Sequence, residues 1–166
     1  MPMIDAMLQE LEQEAQTTKR VLERVPNDRL SWRPHAKART LGELALHIAI
    51  VPGAVAELSL KSPAQAPDFG PDPTPASASE LLSALDNSIA QAKKALGGMD
   101  DGTATATWRL MHGDRELFAI PRIAFLRAIM LNHWYHHRGQ LSVYLKELNV
   151  PIPSIYGPSA DENPFG

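Results

Sequence analysis

The sequence predicts an all-α chain folded as a four-helix bundle. Three observations carry that prediction. Four stretches repeat apolar residues at spacings of three and four, the mark of an amphipathic helix. Thr-x-x-Glu and Ser-x-x-Glu signatures stand just ahead of two of them. A long proline-rich run separates the second stretch from the third and is long enough to cross over such a bundle.

The first helix spans Met3 to Val25. Leu8, Leu11, Ala15, Thr18, Leu22 and Val25 form one seam, and Glu10, Glu12, Glu14, Lys19 and Arg20 occupy mostly other faces. Pro26-Asn27-Asp28 stops it. The second begins at the capping box Thr40-Leu41-Gly42-Glu43, and Leu44, Ile48, Val51, Val55 and Leu58 mark its apolar face. Pro52 lies inside this run, so a kink or break is expected there. From Lys61 to Ala76 the chain carries Pro63, Pro67, Pro71, Pro73 and Pro75 and reads as a semi-rigid extended connection. At about 3.3 Å per extended residue it is long enough to run the length of a helix of about 20 residues, so it suits a crossover better than a hairpin.

Ser77-Ala78-Ser79-Glu80 reads as a second capping box, followed by Leu81, Leu82, Leu85, Ile89, Ala92 and Leu96, with Gly97-Gly98 as the stop. Thr103 to Ile120 is less regular and fits a small hairpin around Gly113. The fourth helix starts near Pro121, places Leu126, Met130, His133, His137, Leu141 and Tyr144 on one face, and ends at Asn149-Val150-Pro151. The tail from Pro151 to Gly166 is expected to be extended. The 166 residues suit one domain spanning 1–166.

Composition narrows the chemistry. The chain has no cysteine and six histidines, which excludes disulfides, thiol nucleophiles of its own, cysteine zinc sites and iron–sulfur clusters. A net charge of −3 carries no basic excess for a nucleic-acid partner. The N-terminus has no basic and apolar leader pattern, and Glu43, His47, Pro52 and Glu57 interrupt the most apolar stretch, so the expectation is a cytoplasmic protein without a membrane partner. No His-Glu-x-x-His, Gly-x-Ser-x-Gly, P-loop or dinucleotide fingerprint is present.

The histidines carry what remains. His133 and His137 are four apart, about 40° and about 6 Å on a helix, so both project from one face. That face is apolar, flanked by Met130 and Leu141, and His47 falls on the apolar face of the second helix. Buried imidazoles need a partner for each ring nitrogen. A divalent metal held by neutral imidazoles satisfies them together, and three protein ligands leave a fourth position open. His136, three residues from His133, is the alternative to His137 on spacing alone, but the 133/137 pair better matches the apolar seam. His35 and His112 fall in loops and read as solvated, as does the Asp161-Glu162 pair. Trp32-Arg33-Pro34 reads as packing at a bundle end, and close helix packing is the simplest reason for Gly139 inside the last helix. Met130 and Tyr144 flank the histidine face and are candidates for a substrate pocket.

At these residues the sequence resembles the DinB family of damage-inducible proteins and its YfiT-like relatives. The matching stretches are Leu30-Ser31-Trp32-Arg33-Pro34-His35, Leu41 to Ala49 around His47, Asn132 to Leu141 around His133 and His137, and the tail from Ile155 to Glu162. The resemblance implies an up-down-down-up four-helix bundle, with the proline-rich loop as the long crossover, and a homodimer. It carries the family's three metal-binding histidines onto His47, His133 and His137, with zinc or nickel as the metal. Some relatives are metal-dependent S-transferases for low-molecular-weight thiols, and one branch is a thiol-dependent isomerase. The implied function is therefore a metal-dependent S-transferase in which a thiol cosubstrate brings the nucleophile to an electrophilic small-molecule substrate. The alternatives are a metal-dependent hydrolase working through activated water, and a non-enzymatic metal-binding stress-response protein.

Overall fold

In a computed structural model describing residues 1–166, the chain is mostly helical with one small sheet. The elements in order are α1 (Met3–Leu22), a 3-10 turn (Asn27–Arg29), α2 (Leu41–Ser59), β1 (Ala64–Gln65), α3 (Ser79–Leu96), α4 (Asp101–Thr105), β2 (Thr107–His112), β3 (Arg115–Pro121), α5 (Arg122–Phe125), a π-helical segment (Leu126–Asn132) and α6 (His133–Glu147). The apolar seams fill one core. Leu11, Ile4 and Val21 of α1, Leu44 and Ile48 of α2, Leu81 and Leu96 of α3, and Trp134 and Leu141 of α6 are all fully buried.

Contact pairs give the sense of each helix. Lys19 meets Asp86 and Glu12 meets Lys93, so α1 and α3 run oppositely. Gly42 faces Pro75 while Gly53 faces Ser88, so α3 follows α2 in the same direction. The Tyr144 hydroxyl donates to the Arg39 carbonyl, while the Trp134 indole reaches Ile48, so α6 opposes α2. Between α2 and α3 the chain is irregular, with turns and bends, apart from the short β1 strand, which pairs parallel to β2.

The capping box at Thr40 forms as expected: Thr40 Oγ1 accepts from Glu43 N at 3.1 Å, and Glu43 Oε2 accepts from Thr40 N at 2.7 Å. The one expected at Ser77 does not. α3 starts at Ser79, and the acceptor for the Ala78 N–H at its start is Asn27 Oδ1, at 2.8 Å, reaching over from the turn after α1. Glu80 instead accepts from Ala76 N. The Ser77 hydroxyl pairs with that of Ser79 at 2.8 Å, and the tertiary acceptor Asn27 serves a different N–H of the helix start.

Pro52 neither breaks nor ends α2, which continues to Ser59. Proline removes one N–H and crowds the carbonyl four residues back, here Ile48. That carbonyl accepts from Trp134 Nε1 at 2.8 Å. One residue on, the Gly53 N–H donates to Ser88 Oγ at 2.8 Å, and the same hydroxyl donates to Ile50 O at 3.1 Å. The disturbance is thus absorbed by α6 on one side and α3 on the other. α2 is long and apolar enough by composition to cross a membrane, contrary to the expectation from its charged residues, but 61% of that stretch is buried within the fold.

Close packing falls at a different glycine from the one expected. A Cβ on Gly139 would meet nothing within 4 Å, so close packing does not explain it. A Cβ on Gly53 would fall 2.6 Å from Gln91 Oε1 and 2.8 Å from the Ser88 carbonyl, so at Gly53 α2 and α3 approach closely.

The hairpin around Gly113 is present, with φ of 60° at that glycine, and a bulge lies between Leu110 and Met111. Trp108 anchors it: fully buried, stacked on Phe125 at 3.9 Å, and donating Nε1 to Lys61 O at 2.7 Å. The short α4 ahead of the hairpin has no counterpart among the helices expected from spacing; Asp100 caps it by accepting from Thr103 N at 2.7 Å. Asp161 and Glu162 are not simply solvated. Asp161 accepts from Ile152 N and Lys146, and Glu162 accepts from Ser154 N, so the pair fastens the irregular tail to the end of α6 and to itself.

Two measurements check this account. Trp134→Phe should cost about 1–3 kcal/mol in urea unfolding, because the Ile48 carbonyl is left buried without a donor. The cost should shrink in a Pro52→Ala background, where residue 52 regains the N–H that carbonyl lacks. Separately, Gly139→Ala should stabilise by about 0.5–1 kcal/mol, as expected for an open helical site, while Gly53→Ala should lower the melting temperature because backbone and Gln91 must move.

Candidate metal centre

His47 sits on α2, and His133 and His137 occupy the first turns of α6. His47 Nε2 lies 3.4 Å from His133 Nε2, and His133 Nε2 lies 2.9 Å from His137 Nε2. All three ligand atoms fall within 4.8 Å of one another. The ring centroids are 4.5 to 5.2 Å apart, and each pair is close to perpendicular. His137 is buried; the other two are half-buried.

The outer nitrogens show how these three imidazoles could act together as a ligand set. His133 Nδ1 is 3.1 Å from the Ile129 carbonyl, and His137 Nδ1 is 2.7 Å from Gln140 Oε1. Both oxygens are acceptors, so each imidazole carries its proton on Nδ1 and turns an Nε2 lone pair inward. Two lone pairs facing each other at 2.9 Å are repulsive unless a cation stands between them. Tetrahedral zinc with Zn–N of about 2.0–2.1 Å places ligand nitrogens about 3.3 Å apart, close to the separations present here. The residues therefore fit a metal ion, and the Nδ1 partners are the orienting groups such sites use.

Electrostatics keep the imidazoles neutral. Burial pushes His47 down to about 4, with the positive charge of Arg39 and the two other histidines adding to the effect. His133 and His137 are also lowered, first by burial; their bonds to Ile129 and Gln140 act in the opposite direction. A neutral imidazole is the form that ligates.

The local fold sets this geometry. Trp134 follows His133, and its indole bonds Ile48, the neighbour of His47. The two ligand-bearing helices are thus pinned one residue from their ligands. Ahead of His133 the chain winds as a π-helix, with wider i→i+5 turns. This places Ile129 beside the site where a 3.6-residue turn places Met130. Met130 is fully buried in the core, and Tyr144 packs edge-on against Trp32 at 5.6 Å. Of the two pocket candidates, neither lines the cleft described next. His136 is exposed and adjacent to His137, and His35 and His112 are exposed in their loops.

An apolar cleft of about 360 Å³ opens beside His47 and His133. His47 and His133 form part of its wall, with Ile50, Val55 and Leu58 of α2, Phe125 and Ile129 ahead of α6, and Leu110 and Phe118 of the hairpin. No carboxylate lines it. Residue spacing gives no sign of these hairpin residues, because only the sheet brings them over α2.

Comparison with known proteins agrees with this architecture. A family model described as the DinB family matches residues 1–163. The uncharacterized protein YrdA of Bacillus subtilis is 27% identical over 165 residues, covering 96% of this chain and 91% of the relative. A DinB-like protein from Bacillus cereus superposes with a TM-score of 0.70 at 25% identity, covering 92% of this chain and 97% of that one. A second DinB-like protein, YjoA of Bacillus subtilis, gives 0.67 at 16% identity over 90% of this chain and 97% of that one, a likeness of fold.

The role of Gln140 is open to a direct check. Gln140→Leu should weaken divalent-metal binding by about 10–100-fold, the usual effect of removing an orienting partner, measured by competition with a chromogenic chelator.

Proposed function

The chain belongs to the DinB family, and on that premise we propose that it is a metal-dependent enzyme, a thiol S-transferase acting on electrophilic small molecules. One observation carries the reading: three inward Nε2 atoms within 4.8 Å of one another, two of them with Nδ1 held by an acceptor, beside an apolar cleft. His47, His133 and His137 would hold zinc or nickel, both suited to imidazole donors. When bound, the metal supplies a fixed double positive charge next to an open position, which lowers the pKa of a thiol or water there.

The chain's own residues then have separate tasks. Gln140 and the Ile129 carbonyl keep the ligand tautomers. The apolar cleft wall offers no hydrogen-bonding group to water beside the electrophile. The chain has no cysteine, so the sulfur arrives with a low-molecular-weight thiol cosubstrate. Its sulfur forms a bond to the electrophilic carbon as the bond to the leaving group breaks; the leaving group departs with that electron pair, and the thiol proton passes to solvent. A hydrolase would use the same open position for water, but general-base assistance commonly comes from a carboxylate, and none lines the cleft. That favours a nucleophile that ionises more readily than water. The reading includes the up-down-down-up bundle, to which the contact-derived helix senses lend support, and a homodimer as the family resemblance implies.

Protein purified without chelators should contain close to one zinc or nickel per chain by elemental analysis, and His133→Ala should remove it. Metal-free wild type would end the proposal. Monochlorobimane or an epoxide should be consumed by the metal-loaded protein only with a thiol present. Equal consumption without thiol would point to hydrolysis, and no turnover across a thiol and electrophile panel to a non-enzymatic metal protein.

A further inference from the structure

The stripe His47, Ile50, Val51, Ala54 and Leu58 follows the three- and four-residue spacing of one face of α2. This face is apolar, yet the fold leaves it partly open: Ala54 is exposed, and Ile50 and Leu58 are half-buried. The hairpin and the proline-rich segment do not close over it. They stand on its far side, with Phe118 at 36% exposure and Phe69 at 86%. An uncovered apolar face next to a ligand set is costly in water, and here it is concave. Its volume of about 360 Å³ falls at the lower end of the roughly 300–1,000 Å³ typical of small-molecule pockets. Beyond the triad, no polar side chain enters the wall, so nothing in the cleft can pair with a charge or a hydrogen-bonding group on an occupant.

We infer that this cleft binds the uncharged, apolar portion of the substrate, and that Ala54 on α2 and Phe118 on β3 determine its size and polarity. The inference rests on the proposed metal-dependent reading for the identity of the occupant as substrate. It goes further in assigning the electrophile to a class: a small aromatic or aliphatic molecule whose reactive carbon lies at the histidine end. Polar or charged electrophiles of similar reactivity are disfavoured, because entering the cleft strips their hydration without replacement.

The closing experiment separates this inference from the metal reading. The uncharged apolar dye Nile red is titrated by fluorescence into metal-free and zinc-loaded protein. Wild type should bind it in both states. Ala54→Trp, which projects a large side chain into the cleft from an exposed position, should weaken binding at least tenfold while leaving zinc stoichiometry and melting temperature close to wild type. Phe118→Asp should weaken it similarly from the opposite wall. If Nile red binds and the two variants lose it, the cleft assignment stands even where the protein takes up no metal. If zinc binds but Nile red does not, or if both variants bind it as wild type does, the assignment is overturned while the metal reading survives. In turnover with a thiol, Ala54→Trp should raise KM for an aromatic electrophile far more than for a small one such as iodoacetamide; an equal rise for both would also overturn it.

Discussion

The hydrogen bond from Trp134 to the Ile48 carbonyl is the constraint on which the site depends. It exists because Pro52 cannot donate to that carbonyl. A proline inside a helix costs about 3 kcal/mol. Tertiary bonds from Trp134 and Ser88 return about 1 kcal/mol each, and the close approach at Gly53 adds dispersion contact. The local cost is therefore offset only when α2, α3 and α6 are docked in one register. That register sets His47 opposite His133. A defect in local helix structure thus becomes a positional code between helices.

A second set of contacts fixes α6 from the other side. Arg138 is almost wholly buried, pairs with Glu14 of α1 at 2.7 Å and bonds Thr18 and the Tyr156 hydroxyl. Arg127 in the π-helical segment makes a bidentate pair with Glu10, which also accepts from Tyr135. Arg127 holds the Glu10 carboxyl below its usual range, and burial together with Glu10 raises the Tyr135 phenol. Removing one partner of a buried pair commonly costs about 3–5 kcal/mol, so Arg138 gives α6 little freedom to rotate. The residues flanking the ligands are held from α1, α2 and the tail together, which is how a site on two helices keeps its lone pairs aimed at one point.

Much of this is legible in the order of residues alone. Apolar spacing locates α1, α2, α3 and α6, because amphipathic periodicity is a local property of the chain. The Thr40 capping box and the Gly113 turn are legible for the same reason. Glu10 and Glu14 are not, since a carboxylate opposite a helix seam reads as solvated until a guanidinium from another helix reaches it. The way α3 begins is hidden because Asn27, which accepts from the Ala78 N–H there, is distant in sequence. The cleft is hidden most completely: Leu110 and Phe118 belong to a hairpin whose place over α2 depends on Trp108 stacking on Phe125.

The sequence by itself determined the helical class, the absence of any internal thiol and the two histidines of α6 that share a face, all consequences of residue type and short-range spacing. It also carried the third histidine, though only as a residue on another helix's apolar face. The tertiary structure alone decided that Ile129 and not Met130 borders the cleft. It alone decided that the cleft wall is apolar. The physical reason is phase. A π-helical segment shifts the angular position of every residue around it, and this one packs against α2 and pairs Arg127 with Glu10 of α1, partners that no local pattern records.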